Sequence, residues 1–405
     1  MSAAPRNTAV AVLATCFALN MFGRGLGESY AVFLLPLERE FDWSRSELTG
    51  MYAIYLLVSG FAAPLVGMLF DRAGPRWVYG SGVSCIAAAF LLAGSLTRLW
   101  QFYLLIGVTV GIGVSLTGMV SASALLSRWY QERLSRAIGV AFSAMGIGII
   151  TFVPLAQYLV GHYGWRSAYR ALGALLAALL PVVVIAVPWR RFAAGHSSER
   201  PSGRSASQSD WTLRAAARTR IYWGMAQAFF FTATGMFAIM VQLVAFFVDA
   251  GFSPLAAATA YGVCGMLSAG SVMGSGFLVE RFGYTRTVTA SFAATMTGMV
   301  LLLALAAHPS GALLAAFVLI FGMAMGVRGP IISSICARHF AGANVATIYG
   351  TIFATNSLGA ALGSLVGGAL HDLTGGYAVG LGFSLAAIGI ASMPFWTVPA
   401  LRDFR

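Results

Sequence analysis

The sequence contains no lysine. All 25 of its basic residues are arginine, its acidic residues number 13, and charges of both signs fill only 9% of 405 positions. Each shortage excludes something. A phosphate loop of the G-x-x-x-x-G-K-[ST] kind needs its lysine on the phosphates, so ATP hydrolysis of that kind is not available. Lysine Schiff-base chemistry is excluded for the same reason. A soluble domain carries about a quarter charged residues, which this chain does not approach. The four cysteines, Cys16, Cys85, Cys264 and Cys336, form no C-x-x-C pair. They lie in or beside apolar runs and read as small core residues. The histidines have no metal-ligand spacing, and no nucleophile–base set stands out, so neither an enzyme nor a cofactor is expected. The beginning of the chain offers no cleavable signal: its first apolar run is too long for a signal core.

What is present in abundance is apolar. Hydrophobic residues make up 59% of the chain, and the mean hydropathy is +0.80. A spanning helix needs about 20 mostly apolar residues. Twelve runs qualify, at 8–36, 48–70, 77–97, 100–126, 136–160, 168–188, 221–248, 255–278, 286–307, 311–337, 345–369 and 376–398. The expected fold is therefore an all-α integral membrane protein. The one long polar stretch, WRRFAAGHSSERPSGRSASQSDWTLRAAARTR, divides it into an N-terminal half (1–188), a linker (189–220) and a C-terminal half (221–405). The net charge of +12 resides in short breaks between spans, which argues against nucleic acid as a partner. Eighteen arginines fall on the side of the termini and linker and five on the other. The positive-inside rule then makes both termini and the linker cytoplasmic.

The two halves repeat. GMLFDRAGPR at 67–76 returns as GFLVERFGYTR at 276–286, with Gly67, Asp71, Arg72 and Gly74 matching Gly276, Glu280, Arg281 and Gly283 at one constant offset. The closing arginine, Arg76, slips by one residue. A weaker echo joins 127–146 to 337–356. The motif and its copy resemble those of the major facilitator superfamily, over the whole chain. That resemblance implies a transporter of twelve helices in two six-helix halves, working by alternating access, with the motif charges latching one state at the cytoplasmic rim. SYAVFLLPLEREFDWSRSELTG and SRWYQERLSRAIGVAFSAMGIG are similar to stretches of the monocarboxylate and oxalate–formate porters. The eighth span, AATAYGVCGMLSAGSVMGSGF, has no charge where those porters often carry a basic residue, so substrate identity does not carry over.

Charges inside spans cost roughly 2.5–3.5 kcal/mol each at the helix centre and mark function. In ALNMFGRGLGESYAVF, Asn20, Arg24 and Glu28 follow i, i+4, i+8 and share one face. The glycines of GRGLG lack a preceding strand and the dinucleotide spacing; they suit close helix contact. The other buried charge is Arg328, in IFGMAMGVRGPIISS. By the resemblance, spans 1, 4, 7 and 10 line a central cavity, and the two arginines fall on the first and the tenth. They are expected to clamp a small organic anion, a monocarboxylate, with Asn20, Tyr30, Gln227 and Thr234 as further contacts. Glu28 is expected to exchange a proton and thereby free Arg24; a permanent Arg24–Glu28 pair is the alternative. Tyr52, Tyr55 and Asn356 are weaker candidates. The loop EREFDWSRSE reads as a solvated turn. The expected partners are the anion, protons and lipid, for a monomer in a plasma membrane, a bacterial inner membrane. Two other readings stay open: proton-coupled efflux of a drug-like or cationic compound, and a membrane sensor that does not transport.

Overall fold

Lipid offers the backbone no hydrogen-bonding partner, so a spanning segment must satisfy itself as helix. The computed structural model follows that rule: every regular element among the described residues is helical. It describes residues 3–130, 134–194, 211–340 and 344–402. The middle of the expected linker and parts of the weaker repeat lie outside them. Ten helical runs are long and apolar enough to span a bilayer. One of them, 136–186, turns back at Gly164, where φ is 77° and ψ 161°, and so carries two of the expected spans. The second expected span is likewise divided, between a 17-residue helix and the one that follows it.

The chain forms two compact units, residues 1–197 with 241–269 and residues 198–240 with 270–405. In order, the elements are α1 (Ala3–Glu28), α2 (Tyr30–Phe41), α3 (Arg45–Phe61), α4 (Ala63–Ala93), α5 (Leu99–Phe102), a π-helical stretch (Tyr103–Thr109), α6 (Val110–Thr117), α7 (Met119–Leu126), α8 (Leu134–Pro181), a second π-helical stretch (Val182–Ala186) and α9 (Trp189–Ala194). There follow α10 (Leu213–Ala216), α11 (Arg220–Met240), α12 (Leu243–Asp249), α13 (Pro254–Phe282), α14 (Tyr284–Ala307), α15 (Gly311–Met325), α16 (Arg328–His339), α17 (Val345–Thr374), α18 (Ala378–Ser392), α19 (Pro394–Thr397) and α20 (Pro399–Arg402). Residues 241–269, which the sequence repeat places in the second half, thus pack with the first.

The internal repeat is visible in the backbone. Gly74 has φ 79° and ψ 169°, and its counterpart Gly283 has φ 82° and ψ 165°. Only glycine adopts this conformation without strain, and at each place it turns the chain into the next helix. Within the first unit, α1 lies against α8 with Gly25 facing the backbone of Gly148. Phe33 stacks on Tyr169 with centroids 3.7 Å apart. Within the second unit, Gly359, Gly363 and Gly367 form a seam along α17 against the backbone of α11 at Phe230, Thr234 and Ala238. A methyl group at any of the three would meet backbone, so small residues set the helix separation.

Candidate functional site

Besides span 2, divided at Ala62, four of the expected spans are interrupted. Span 1 breaks at Ser29 between α1 and α2, span 4 at Gly118 between α6 and α7, span 7 at Val241–Gln242, and span 10 at Gly326–Val327. Interrupted helices expose polar ends at membrane depth and are a recurrent way to build a substrate or ion site. Both arginines that the sequence places inside spans lie beside such breaks, one in each unit.

In the first unit, Arg24 Nη2 lies 3.5 Å from Glu28 Oε1. The pair is one helical turn apart on α1. Arg24 Nη1 also donates to the Tyr55 hydroxyl at 3.3 Å. Gly27 makes that possible, since a Cβ there would sit 2.6 Å from the same hydroxyl. The second oxygen of Glu28 accepts twice, from Tyr52 at 2.5 Å and from Tyr261 of α13 at 3.3 Å. Glu28 is 4% exposed, whereas the Arg24 side chain keeps 24% of its surface open. The cluster is neutral overall, and Glu28 Oε1 has the Arg24 ion pair but no hydrogen bond among the described residues. A small cavity bounded by Gly27, Tyr30, Tyr52, Tyr55, Phe90 and Tyr169 adjoins it.

The polar stripe expected along span 1 is divided. Asn20 does not join Arg24 and Glu28: its Nδ2 donates to the Ala141 carbonyl at 2.9 Å and approaches Met119 Sδ at 3.1 Å. Tyr30 lines the cavity, but its hydroxyl donates to the Leu48 carbonyl at 2.7 Å.

In the second unit, Arg328 opens α16 immediately after the break, and it is 2% exposed. Its Nη2 lies 3.2 Å from Met236 Sδ, a weak acceptor. Its guanidinium sits 4.8 Å from the Phe292 ring centroid. Nε and Nη1 have no hydrogen-bond partner. The positive end of the α16 dipole has the same sign. A full positive charge is therefore held among apolar groups, with no counterion among the described residues. Gln227 and Thr234, both on α11, are tied to backbone: Gln227 donates to the Ile390 carbonyl at 3.0 Å, and Thr234 to the Phe230 carbonyl at 2.9 Å. Arg24 belongs to the first unit and Arg328 to the second.

The motif residues Asp71, Arg72, Arg76, Glu280 and Arg281 are exposed, and none of the four salt bridges among the described residues involves them. The loop read as a solvated turn is not one. Arg45 is 4% exposed; it bonds Glu38 at 2.7 Å and reaches Asp249 at 3.4 Å. Glu40 bonds Trp165 and Arg166. The charges of this loop reach partners that are distant in sequence. Tyr261 escapes sequence reasoning as well, since an isolated tyrosine in an apolar span gives no sign of a carboxylate 233 residues away.

Residues 13–364 match the Major Facilitator Superfamily. Monocarboxylate transporter 13 of Bos taurus is 28% identical over 371 residues, covering 90% of this chain and 84% of that protein. The uncharacterized MFS-type transporter YcxA of Bacillus subtilis is 25% identical over 388 residues, covering 93% of this chain and 91% of that one. Among solved structures, a point mutant of the nucleoside transporter NupG superimposes with a TM-score of 0.74 at 16% identity, covering 95% of this chain and 98% of that one. A bacterial homolog of the human lysosomal transporter Spinster, inward-facing and unoccupied, gives 0.69 at 15%, covering 97% and 96%.

Proposed function

The chain belongs to the Major Facilitator Superfamily and is a multi-pass membrane transporter; on that premise we propose that its cargo is a small organic anion, a monocarboxylate, anchored on Arg328 and driven by protons bound at Glu28. One observation carries the reading: a guanidinium 2% exposed with two donors unpartnered. Burying an unpaired ion costs several kcal/mol, and a cargo carboxylate is the group that offsets it. Guanidinium is suited to that task, since it stays charged and binds carboxylate through paired N–H donors. A single charge flanked by Phe292 and Met236 matches one carboxylate with an apolar tail better than a dicarboxylate. The monocarboxylate transporters among its relatives support the same choice.

Arg24, by contrast, serves as the partner of Glu28. A proton taken by Glu28 cancels that pairing and couples its charge to the transport cycle. Cycling is by alternating access. The charged motifs at 67–76 and 276–286 latch one state on the cytoplasmic side, where both termini and the linker lie.

Uptake into proteoliposomes of the purified full-length protein tests this. Radiolabelled short monocarboxylates, one dicarboxylate and one organic cation are offered with and without a proton gradient. Monocarboxylate uptake that follows the gradient and vanishes in Arg328→Ala is expected. Cation flux indifferent to Arg328 would replace the reading with efflux, and carboxylate binding without flux would make the protein a sensor.

A further inference from the structure

Segment 254–269 of α13 meets the Glu28 cluster through one hydroxyl. Glu28 Oε2 accepts from Tyr52 at 2.5 Å and from Tyr261 at 3.3 Å, while Oε1 faces Arg24 at 3.5 Å. Building on the proton site proposed above, we propose that Tyr261 is a coupling residue, releasing α13 from α1 and α3 when Glu28 takes up a proton.

The geometry gives the order of events. A proton on Oε1 would point at the Arg24 guanidinium, which has no acceptor to offer. The proton therefore settles on Oε2. That oxygen already receives two phenol hydrogens, and a neutral carboxyl is a weaker acceptor than a carboxylate, whose charge-assisted bonds are about twice as strong. The new Oε2 hydrogen must itself be donated to a phenol oxygen, and the nearer one, Tyr52 at 2.5 Å, turns from donor to acceptor, which leaves Tyr261 donating over 3.3 Å to a neutral hydroxyl oxygen. Tyr52 holds the shorter bond and stacks on Tyr30, with centroids 5.8 Å apart. Tyr261 holds the longer bond, so Tyr261 is released. Its polar link between α13 and the first span is thereby cut, and the protonation state of a residue on α1 becomes a packing state of α13.

Other groups facing the cluster are few. Arg24 comes from α1 and Tyr55 from α3, and Cys264 lies one turn beyond Tyr261 on α13. The same segment of chain, 241–269, has a second ionic tie, from Asp249 to Arg45, with Glu38 alongside. It has carboxylates of its own, so its contribution must be separated experimentally.

Pulsed electron–electron distance measurements on the full-length protein do this. The four native cysteines are replaced, and nitroxides are placed at Trp100→Cys and Leu255→Cys, where the native side chains are 60% and 50% exposed. Samples are frozen at about pH 8 and about pH 5.5. In the labelled parent, a second and longer distance is expected at the lower pH. In Tyr261→Phe and in Glu28→Gln, the longer distance is expected at both pH values, with the pH response lost; Asp249→Asn retains it. A response that survives Tyr261→Phe but not Glu28→Gln overturns the coupling role and leaves the proton site standing. A response that survives Glu28→Gln, or is absent from the parent, overturns both. A response lost in Asp249→Asn alone assigns the effect to the Arg45 tie and overturns the proposal. Proton-driven uptake by Tyr261→Phe gives a second measurement: loss of gradient-driven accumulation with exchange retained supports the coupling role, and unchanged accumulation overturns it.

Discussion

The two arginines that the sequence buries in its spans live under opposite conditions. Arg24 has a carboxylate at 3.5 Å, a phenol at 3.3 Å and a quarter of its side chain exposed. Arg328 has a thioether, an aromatic face and 2% exposure. The first is one member of an ion pair. The second is an open electrostatic position, held by packing, with no counterion among the described residues. Identical side chains inside spans thus have different surroundings, set by whether a carboxylate stands within one helical turn.

The sharpest way to break this contrast is stability. Arg24→Ala leaves Glu28 buried without its cation and should destabilise the protein by about 2–3 kcal/mol, somewhat less than a fully buried pair because Arg24 is partly exposed. Arg328→Met removes an uncompensated charge and should stabilise the anion-free protein by about 1–3 kcal/mol. Melting temperatures in detergent, measured without carboxylate, decide it; a fall for both variants would erase the distinction. Transport gives the mirror image. Arg328→Ala should lose about 2–5 kcal/mol of carboxylate binding, enough to abolish uptake, whereas Glu28→Gln should lose gradient-driven accumulation and retain exchange. A smaller effect falls on Phe292, whose ring supports the guanidinium: Phe292→Leu should raise KM by a factor matching about 0.5–2 kcal/mol, with little change in kcat. The smallest belongs to Met236→Leu, a near-isosteric exchange worth less than about 1.5 kcal/mol, read as a modest change in carboxylate affinity.

Sequence alone exposed the charges because lipid makes them conspicuous. Arg24, Glu28 and Arg328 stand out against apolar spans, and the repeated glycine motifs announce the two matching turns at Gly74 and Gly283. The partners are harder to read. Helical spacing places Asn20 on one face with Arg24, yet its amide is engaged by the Ala141 carbonyl, because a neighbouring helix covers that part of the face. Tyr261 and Asp249 act on residues more than 200 positions earlier, and no local pattern encodes such a meeting. Arg45 resembles a surface residue because its loop is rich in charge; its burial follows from what packs over it. Periodicity reports which side a residue faces, and tertiary contact decides what it finds there.

The glycine seam between α11 and α17 has a consequence for the proposed anion position. Helices set this close have no slack in which to slide, and Gln227 fastens α11 to α18 as well. Met236 is therefore mounted on a stiff girder of three helices. On the proposed reading, a carboxylate that draws the guanidinium away from the sulfur would leave the girder in place, and the yielding parts would be the arginine's own slender stem and the break at Gly326–Val327.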